Sequence, residues 1–296
     1  MRRSRFLDPA VLARVRDLRL VARAVVEGFL SGLHPDLRPG AGIDFSQYRS
    51  FEPGDDPRHL DWRLYARSDR FYVRQAEVER DVVVRLLLDA SRSMAHGEGR
   101  GSKFDYARRL IAALAYLADL GGDHLAFHAL AGGAAVDLAP RGRRGVLPEL
   151  LARLEALEPA GTWPAWSELA PRLAAARSRQ LVVVVSDLYQ QGRELETALG
   201  RLAARGHGVL VLHLMARDEL DFTFDGDLLF EDLETGDAVR GHADALRPAY
   251  RRRLERFLEG WRRRLLERRV DYRLIPTDQP LDHALRALLL RRRALR

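Results

Sequence analysis

The sequence predicts an α/β fold in which a mostly parallel sheet carries helices on both faces, preceded by an N-terminal helix and a small β-containing module. Two observations support this class. Strand-like and helix-like patterns alternate from about residue 81 onward, which is the order expected of a parallel sheet. Several predicted strands are nearly unbroken aliphatic runs, such as Val82 to Leu88, and these runs indicate strands that are buried on both faces.

The residues before this alternation predict a helix followed by short extended segments. Apolar residues recur at helical spacing from about Pro9 to Leu33. Glycine and proline then punctuate residues 36–80, where Ile43 to Tyr48 and Arg70 to Glu77 are the predicted extended segments. We therefore expect residues 1–80 to form a helix plus a β module, and residues 81–296 to form the α/β domain.

The elements of the α/β domain follow from the same patterns. After the first buried run, the predicted strands are His124–Leu130, Ala134–Leu138, Leu181–Ser186, Gly208–Met215 and Asp271–Ile275. The predicted helices are Lys103–Leu120, Leu147–Leu157, Trp166–Arg177, Leu195–Arg205, Leu246–Arg268 and a terminal helix from Leu281. Residues Phe222–Val239 are predicted to be an inserted hairpin that turns at residues 234–237.

Composition restricts the classes of site and of protein. The chain of 296 residues contains no cysteine, which excludes disulfides, thiolate zinc sites and cysteine nucleophiles. Any metal must therefore be held by oxygen or by histidine. No run of about twenty apolar residues is present and the first residues are charged, so we expect a cytoplasmic protein without a membrane span. The net charge of +7 comes almost wholly from arginine, a skew that codon choice in a GC-rich genome explains.

The most informative motif directly follows the first buried strand. Asp89, Ser91 and Ser93 place one carboxylate and two hydroxyls at the carboxyl end of that strand. Open α/β sheets bind their ligands at this edge. Taken singly, such residues can merely accept hydrogen bonds from backbone N–H groups in a turn. The motif therefore indicates a metal site only if other loops supply further side-chain oxygens.

Two later loops offer such oxygens. Asp187 follows the strand that ends at Ser186, and Thr162 lies in a loop between these two strands in the sequence. Three loops can therefore reach one point, with room left for an acidic ligand. Oxygen donors of this kind suit Mg²⁺ or Mn²⁺. The predicted metal ligands are Asp89, Ser91, Ser93, Thr162 and Asp187.

This constellation resembles the metal-ion-dependent adhesion site (MIDAS) of von Willebrand factor type A domains. The resemblance implies a von Willebrand A-like, Rossmann-like domain over residues 81–296. It also implies that the five residues hold Mg²⁺, or Mn²⁺ or Ca²⁺ in its place, directly or through water. In that family the free coordination position takes a carboxylate from a partner protein.

A second motif lies upstream of the sheet. Residues 42–49 read Gly-Ile-Asp-Phe-Ser-Gln-Tyr-Arg, and the stretch continues through Glu-Pro-Gly-Asp-Asp-Pro at 52–57. From the residues alone, this is a turn whose Asp and Arg side chains form ion pairs. The stretch resembles the signature of the bacterial domain-of-unknown-function family 58 (DUF58). That resemblance implies association with a MoxR-type AAA+ ATPase, and a role as a metal-dependent adaptor in a chaperone-like assembly that acts on client proteins.

Other functions remain as alternatives to this non-enzymatic role. Asp89 and Asp187 around a cation could activate water, as in a metal-dependent hydrolase. The arginine-rich C-terminal helix could bind nucleic acid, although its apolar stripe and interleaved glutamates favour a solvated face. A nucleotide site is disfavoured, because Ser102 separates the last glycine of the loop at residues 97–103 from Lys103.

Overall fold

A computed structural model describes residues 17–33, 48–50, 72–74, 82–97, 101–131, 134–140, 146–163, 179–189 and 193–295. The strands are β1 (Tyr48–Ser50), β2 (Tyr72–Arg74), β3 (Val83–Asp89), β4 (His124–Ala131), β5 (Ala134–Leu138), β6 (Gln180–Ser186), β7 (Gly208–Met215), β8 (Asp227–Glu231), β9 (Ala238–His242) and β10 (Asp271–Pro276). The α-helices are α1 (Leu18–Leu33), α2 (Lys103–Leu120), α3 (Val146–Ala156), α4 (Glu194–Ala204), α5 (Arg217–Asp221), α6 (Ala243–Glu267) and α7 (Asp282–Leu295), and Arg92–Ala95 form a 3₁₀ turn.

Among the described residues, the central sheet has six strands in the order β10-β7-β6-β3-β4-β5. All neighbouring pairs are parallel except β4 and the edge strand β5, which are antiparallel. Strands β3, β6 and β7 are buried along their whole length, as their aliphatic sequences require. The predicted fold class, a mostly parallel sheet between helices, is confirmed.

Two apolar cores lie on opposite faces of the sheet, because successive side chains of a strand point to opposite faces. In β3, Leu86 and Leu88 belong to the first core, whereas Leu87 belongs to the second. Helices α1, α2, α3 and α7 contribute to the first core, and α4 and α6 contribute to the second. The strand ends between these layers are therefore held from both sides.

Helix α1 packs into the first core through an apolar stripe. Val21, Ala22, Val25 and Val26 are buried there at the helical spacing that predicted the helix. The predicted residues 9–16 of this helix lie outside the described residues. Within the predicted β module, β1 and β2 pair in antiparallel fashion, and the domain boundary near residue 80 stays a prediction.

Helix α2 begins and ends at the predicted residues. Its first turn is closed by a capping box, in which Ser102 Oγ accepts from Asp105 N at 3.1 Å and Asp105 Oδ2 accepts from Ser102 N at 3.3 Å. At the other end, Gly121 N donates to Leu117 O at 3.1 Å. The capping box fixes the position of Lys103, the first residue of the helix.

The remaining elements agree with the predictions to within a few residues, with informative differences. The inserted hairpin is present as β8 and β9, which pair in antiparallel fashion around a turn at residues 232–237. The 3₁₀ turn and the five-residue helix α5 were not predicted, because elements this short show no periodicity. The predicted helix Trp166–Arg177 lies outside the described residues.

Candidate functional site

Asp89 ends β3 with a buried carboxylate that is tied to two neighbours. Its Oδ1 accepts from Ser91 N at 2.9 Å, which closes the turn after the strand. Its Oδ2 accepts from the Ser186 hydroxyl at 2.5 Å, which links the ends of β3 and β6. Ser186 Oγ in turn accepts from Leu188 N at 2.9 Å. The carboxylate is therefore held in one orientation by two adjacent strand ends.

Burial makes Asp89 a weaker acid than an ordinary aspartate. Removal from water raises the pKa of Asp89 to about 7, and the charge of Asp187 acts in the same direction, whereas hydrogen bonds from Ser186 and Ser91 lower it. Among the residues that the structure describes, no Lys, Arg or His forms an ion pair with Asp89. A buried carboxylate without a paired cation is a favourable place for a positive charge.

Ser91 and Ser93 place two hydroxyls beside this carboxylate. Their Oγ atoms lie 3.1 Å apart, and buried Met94 anchors the 3₁₀ turn that carries Ser93. In an octahedral Mg²⁺ site with metal–oxygen distances of about 2.1 Å, neighbouring ligand oxygens lie about 3 Å apart. The spacing of the two hydroxyls therefore fits adjacent positions around such an ion.

The loop that contains Thr162 is fastened to the same turn. Ala160 N donates to Ala90 O at 2.8 Å, and Arg92 N donates to Gly161 O at 2.9 Å. Gly161 has φ 63°, a left-handed conformation that glycine adopts without strain. Thr162 is exposed at the end of this fastened segment. The structure thus brings the predicted threonine loop next to the Asp89 motif through its backbone.

Asp187 is engaged by a cation from within the chain. Its Oδ2 accepts from Lys103 Nζ at 2.8 Å, and the same ammonium donates to Glu219 Oε1 at 2.8 Å. Lys103 and Asp187 each expose only 1% of their surface. Burial alone would lower the pKa of Lys103, but the charges of Asp187 and Glu219 outweigh burial and raise it above its usual value.

Tyr189 and α5 complete the pocket around this ammonium. The Tyr189 ring centroid lies 4.7 Å from Lys103 Nζ, a cation–π contact, and its hydroxyl donates to Glu219 Oε1 at 3.3 Å. Glu219 Oε2 accepts from Ala216 N at 2.8 Å. Local sequence patterns do not assign Lys103 or Glu219 to the site. One signal was present, since Lys103 is the only lysine in a chain that otherwise uses arginine.

The turn of the inserted hairpin carries a further carboxylate, that of Glu234, which local sequence patterns do not single out. Glu234 is half-buried, and burial raises its pKa. Hydrogen bonds from the Ser93 and Ser91 side chains lower it, while the charge of Asp187 raises it further.

The donor chemistry of this site suits a hard cation. Its atoms are carboxylate and hydroxyl oxygens, and its one lysine is already paired with acids. In the described parts of the chain, no group of three or more His, Asp or Glu side chains is arranged to hold a metal. His96, close to the motif in sequence, has Nε2 2.9 Å from Asp218 Oδ2. The hydrolase alternative thus lacks, among the described residues, the histidine and carboxylate cluster on which many such enzymes rely.

The arginine-rich helix α6 is partly occupied by internal contacts. Trp261 and Leu265 are buried in the second core. Arg264 Nε lies 2.5 Å from Glu196 Oε2, and Arg268 Nη2 lies 3.4 Å from Glu196 Oε1. These two arginines fasten α6 to α4, which is a structural role rather than the free basic surface that the nucleic-acid alternative requires.

Comparison with known proteins gives consistent matches. The model of the family described as "Protein of unknown function DUF58" matches residues 47–257. An uncharacterized protein of Mycobacterium tuberculosis (strain ATCC 25618 / H37Rv) is 30% identical over 233 residues, which span 77% of this chain and 73% of the relative. The residues matched by the family model include β3, β6 and the inserted hairpin.

Solved structures were also compared with this chain, and one shares its fold. An aerotolerance-related membrane protein from Bacteroides fragilis NCTC 9343 matches with a TM-score of 0.50 and 18% identity, covering 72% of this chain and 99% of the other. BatB from Bacteroides thetaiotaomicron matches with a TM-score of 0.49 and 17% identity, covering 72% and 98%. The shared fold is the predicted α/β class, a mostly parallel sheet between helices. None of the helices in the described parts of the chain is long and apolar enough to cross a bilayer.

Proposed function

The chain belongs to the DUF58 family, and on this premise we propose that it is a metal-dependent module for binding other proteins. The observation that carries the proposal is the buried Asp89 carboxylate, which has no paired cation among the described residues and lies beside the Ser91 and Ser93 hydroxyls. The von Willebrand A-like fold is one that proteins commonly use for protein interaction. Asp89 ends β3 and Asp187 follows β6, and the carboxyl ends of parallel strands are where open α/β sheets bind ligands, which supports the proposal.

Each residue of the site has a distinct part in this proposal. Asp89, Ser91 and Ser93 hold Mg²⁺, while Thr162 and Asp187 complete or adjust its surroundings. When bound, Mg²⁺ supplies a coordination position for the carboxylate of a partner protein. Lys103 pairs with Asp187 and offsets part of the negative charge, which limits how strongly the site attracts the cation.

We also propose that the partner is a MoxR-type AAA+ ATPase, a client protein, or both, in a chaperone-like assembly. The support for this partner class is the family membership together with the motif at residues 42–57. In the assembly, the chain acts as an adaptor and presents a client or the ATPase with a metal-bound docking point. An acidic side chain of the bound protein is the expected ligand, because a hard cation prefers carboxylate oxygen.

The test is calorimetric titration of Mg²⁺ and Mn²⁺ into the wild type and Asp89→Ala, with Asp218→Ala as a matched control. Asp218 is a nearby acid that pairs with His96 instead of the hydroxyls. We expect the wild type and the control to bind metal, and Asp89→Ala to lose binding while keeping its circular dichroism spectrum. Equal affinity in the wild type and Asp89→Ala would end the site assignment.

The partner is tested separately by capture of a purified MoxR-type ATPase on the immobilised chain, with Mg²⁺ or with a chelator. We expect capture with Mg²⁺ and its loss with the chelator or with Asp89→Ala. Capture that is insensitive to both changes would contradict a metal-dependent contact.

A further inference from the structure

One buried ammonium is shared between a predicted metal ligand and an acid of another element. Lys103 Nζ donates to Asp187 Oδ2 and to Glu219 Oε1, each at 2.8 Å. All three side chains are buried. An ammonium is a compact charge with three donors, so it can keep one acid when the other leaves. Lys103 is therefore a cation that the chain itself already places beside Asp187.

Lys103 and Glu219 are also fixed to each other by contacts of their own. The backbone N of Lys103 donates to His96 O at 2.8 Å, and Lys103 begins α2 directly after its N-cap. The ring of Tyr189 lies 4.7 Å from Lys103 Nζ, and Tyr189 Oη donates to Glu219 Oε1 at 3.3 Å. Glu219 Oε2 accepts from Ala216 N at 2.8 Å. The pairing of the ammonium with Glu219 is therefore supported independently of the second acid.

Asp187 adjoins both this ammonium and the Asp89 motif. Strands β3 and β6 are parallel neighbours, and Asp89 at the end of β3 accepts from the Ser186 hydroxyl at the end of β6 at 2.5 Å. Asp187 follows directly in the sequence. Its Oδ1 accepts from Tyr189 N at the longer distance of 3.3 Å. The short contact with Lys103 is therefore the stronger one that holds the Asp187 carboxylate on the side of the ammonium.

We propose that Lys103 competes with the bound metal for the Asp187 carboxylate, and that Glu219 retains the ammonium when Asp187 turns to the metal. This inference rests on the proposed function, because it assigns the regulation of the same site. The apparent metal affinity is lowered in proportion to the fraction of molecules in which the ammonium holds Asp187. Metal binding leaves Lys103 attached to α5 alone, so occupancy of the site changes the contacts of that helix.

The single lysine of the chain permits a direct test in the wild-type protein. Protein labelled with ¹⁵N-lysine and with ¹³C-aspartate and ¹³C-glutamate gives one lysine ammonium signal. NMR couplings across its hydrogen bonds identify the carboxyl carbons that accept from it. Mg²⁺ is the probe, because it is diamagnetic. We expect couplings to both Asp187 and Glu219 without Mg²⁺, and loss of the Asp187 coupling alone at saturation with Mg²⁺.

A double substitution separates competition from general charge. Lys103→Met with Glu219→Gln removes one positive and one negative charge, so the net charge near the site is unchanged while the competing ammonium is absent. The matched control is Arg217→Met with Asp278→Asn. It removes the ion pair at 3.1 Å between α5 and the loop after β10, which does not include Asp187.

Mg²⁺ affinity of these variants is measured by calorimetric titration. We expect the Lys103 and Glu219 double variant to bind about tenfold more tightly than the wild type, the gain that follows if the ammonium holds Asp187 in about nine molecules of ten. The control is expected to match the wild type. Circular dichroism establishes that the variants are folded, and if the double variant does not fold, the couplings in the wild type decide alone.

The outcomes separate the two proposals. If the wild type binds Mg²⁺ through Asp89 but keeps the coupling between Lys103 and Asp187 at saturation, the competition is overturned and the metal site stands. A folded double variant with wild-type affinity, or a control with the same gain, also overturns the competition. If the wild type binds no Mg²⁺, the metal site fails and the competition fails with it.

Discussion

Lys103 Nζ lies 2.8 Å from Asp187 Oδ2, in a pocket where both side chains are almost completely buried. Glu219 Oε1 accepts from the same ammonium at 2.8 Å, so one cation serves two carboxylates. The adjacent Asp89 carboxylate has no such partner among the described residues. The chain therefore neutralises one of its strand-end aspartates internally and leaves the other available to a cation from solution.

Replacement of Lys103 by methionine is expected to destabilise the fold strongly. The substitution keeps the length of the side chain but leaves Asp187 and Glu219 buried without a cation. Removing one partner of a buried ion pair costs about 3–5 kcal/mol in free energy of unfolding. Urea unfolding followed by circular dichroism measures the change, and a loss below about 1 kcal/mol, the range of exposed ion pairs, would contradict it.

Ser186→Ala is expected to weaken metal binding without removing a proposed ligand. Ser186 Oγ holds Asp89 Oδ2 at 2.5 Å, and its loss leaves that oxygen free to turn away from the site. Loss of a group that orients a metal ligand typically lowers affinity by about 10–100-fold. Calorimetric titration of Mn²⁺ measures the effect. Affinity equal to that of the wild type would show that β6 does not orient Asp89.

Glu196→Gln is expected to loosen the contact between α4 and α6. Glu196 is 1% exposed and pairs with Arg264 of α6, with Arg268 directly after α6 and with Arg193 directly before α4. Hydrogen bonds to charged groups contribute about 1.5–3 kcal/mol each, but these arginines are partly exposed, so we expect a net loss of about 2 kcal/mol. Denaturant unfolding measures this loss in the free energy of unfolding.

The matched control for this variant is Glu259→Gln, because Glu259 forms a solvent-exposed pair with Arg262 at 3.9 Å. Its substitution is expected to change the free energy of unfolding by less than about 0.5 kcal/mol. If Glu259→Gln lowered the free energy of unfolding as much as Glu196→Gln, the charge on α6 would set the stability, and not the buried Glu196 with its arginines.

His213 is expected to make the protein less stable in acid. Burial lowers the pKa of His213 to about 4 from its usual 6.5, so the imidazole is neutral in the folded state. The unfolded chain binds more protons between these values, and folded-state stability is therefore present above pH 6.5 and is lost as pH falls through 4. The full shift corresponds to about 3 kcal/mol.

The measurement is urea unfolding of the wild type and His213→Phe at pH 7 and pH 4.5. Tyr272 Oη, which lies 2.8 Å from His213 Nδ1, loses a partner in the variant, so the variant starts from lower stability. The deciding quantity is the fall in free energy of unfolding between pH 7 and pH 4.5. We expect this fall to be smaller in the variant than in the wild type. Equal falls would assign the acid sensitivity to other groups.

The fold was predictable because its signals are local. The aliphatic runs of β3, β6 and β7 and the periodicity of α2 lie within single segments, and β7 and α2 have the predicted bounds. Helix α5 was missed because five residues do not complete a pattern. The edge strand β5 was predicted because it follows β4 directly as a hairpin.

The site was predictable only in part, for a physical reason. Asp89, Ser91 and Ser93 are adjacent in sequence and follow a buried strand, so local reasoning finds them together. Lys103 reaches Asp187 across 84 residues and Glu219 across 116, and no local pattern reports such contacts. The hairpin is predictable as an element from its local sequence. The surface against which its turn packs depends on contacts between residues far apart in the sequence, which no local pattern reports.

The burial of Lys103 also means that chemical modification of this residue can report how often its pocket opens. Because this is the only lysine of the chain, an amine-directed reagent has a single side-chain target, and in the folded protein that target is shielded by Tyr189 and two acids. Acylation of Lys103, read by mass spectrometry, therefore counts molecules in which the pocket has opened. The same shielding withholds the folded protein from acetylating or ubiquitinating enzymes that act on lysine.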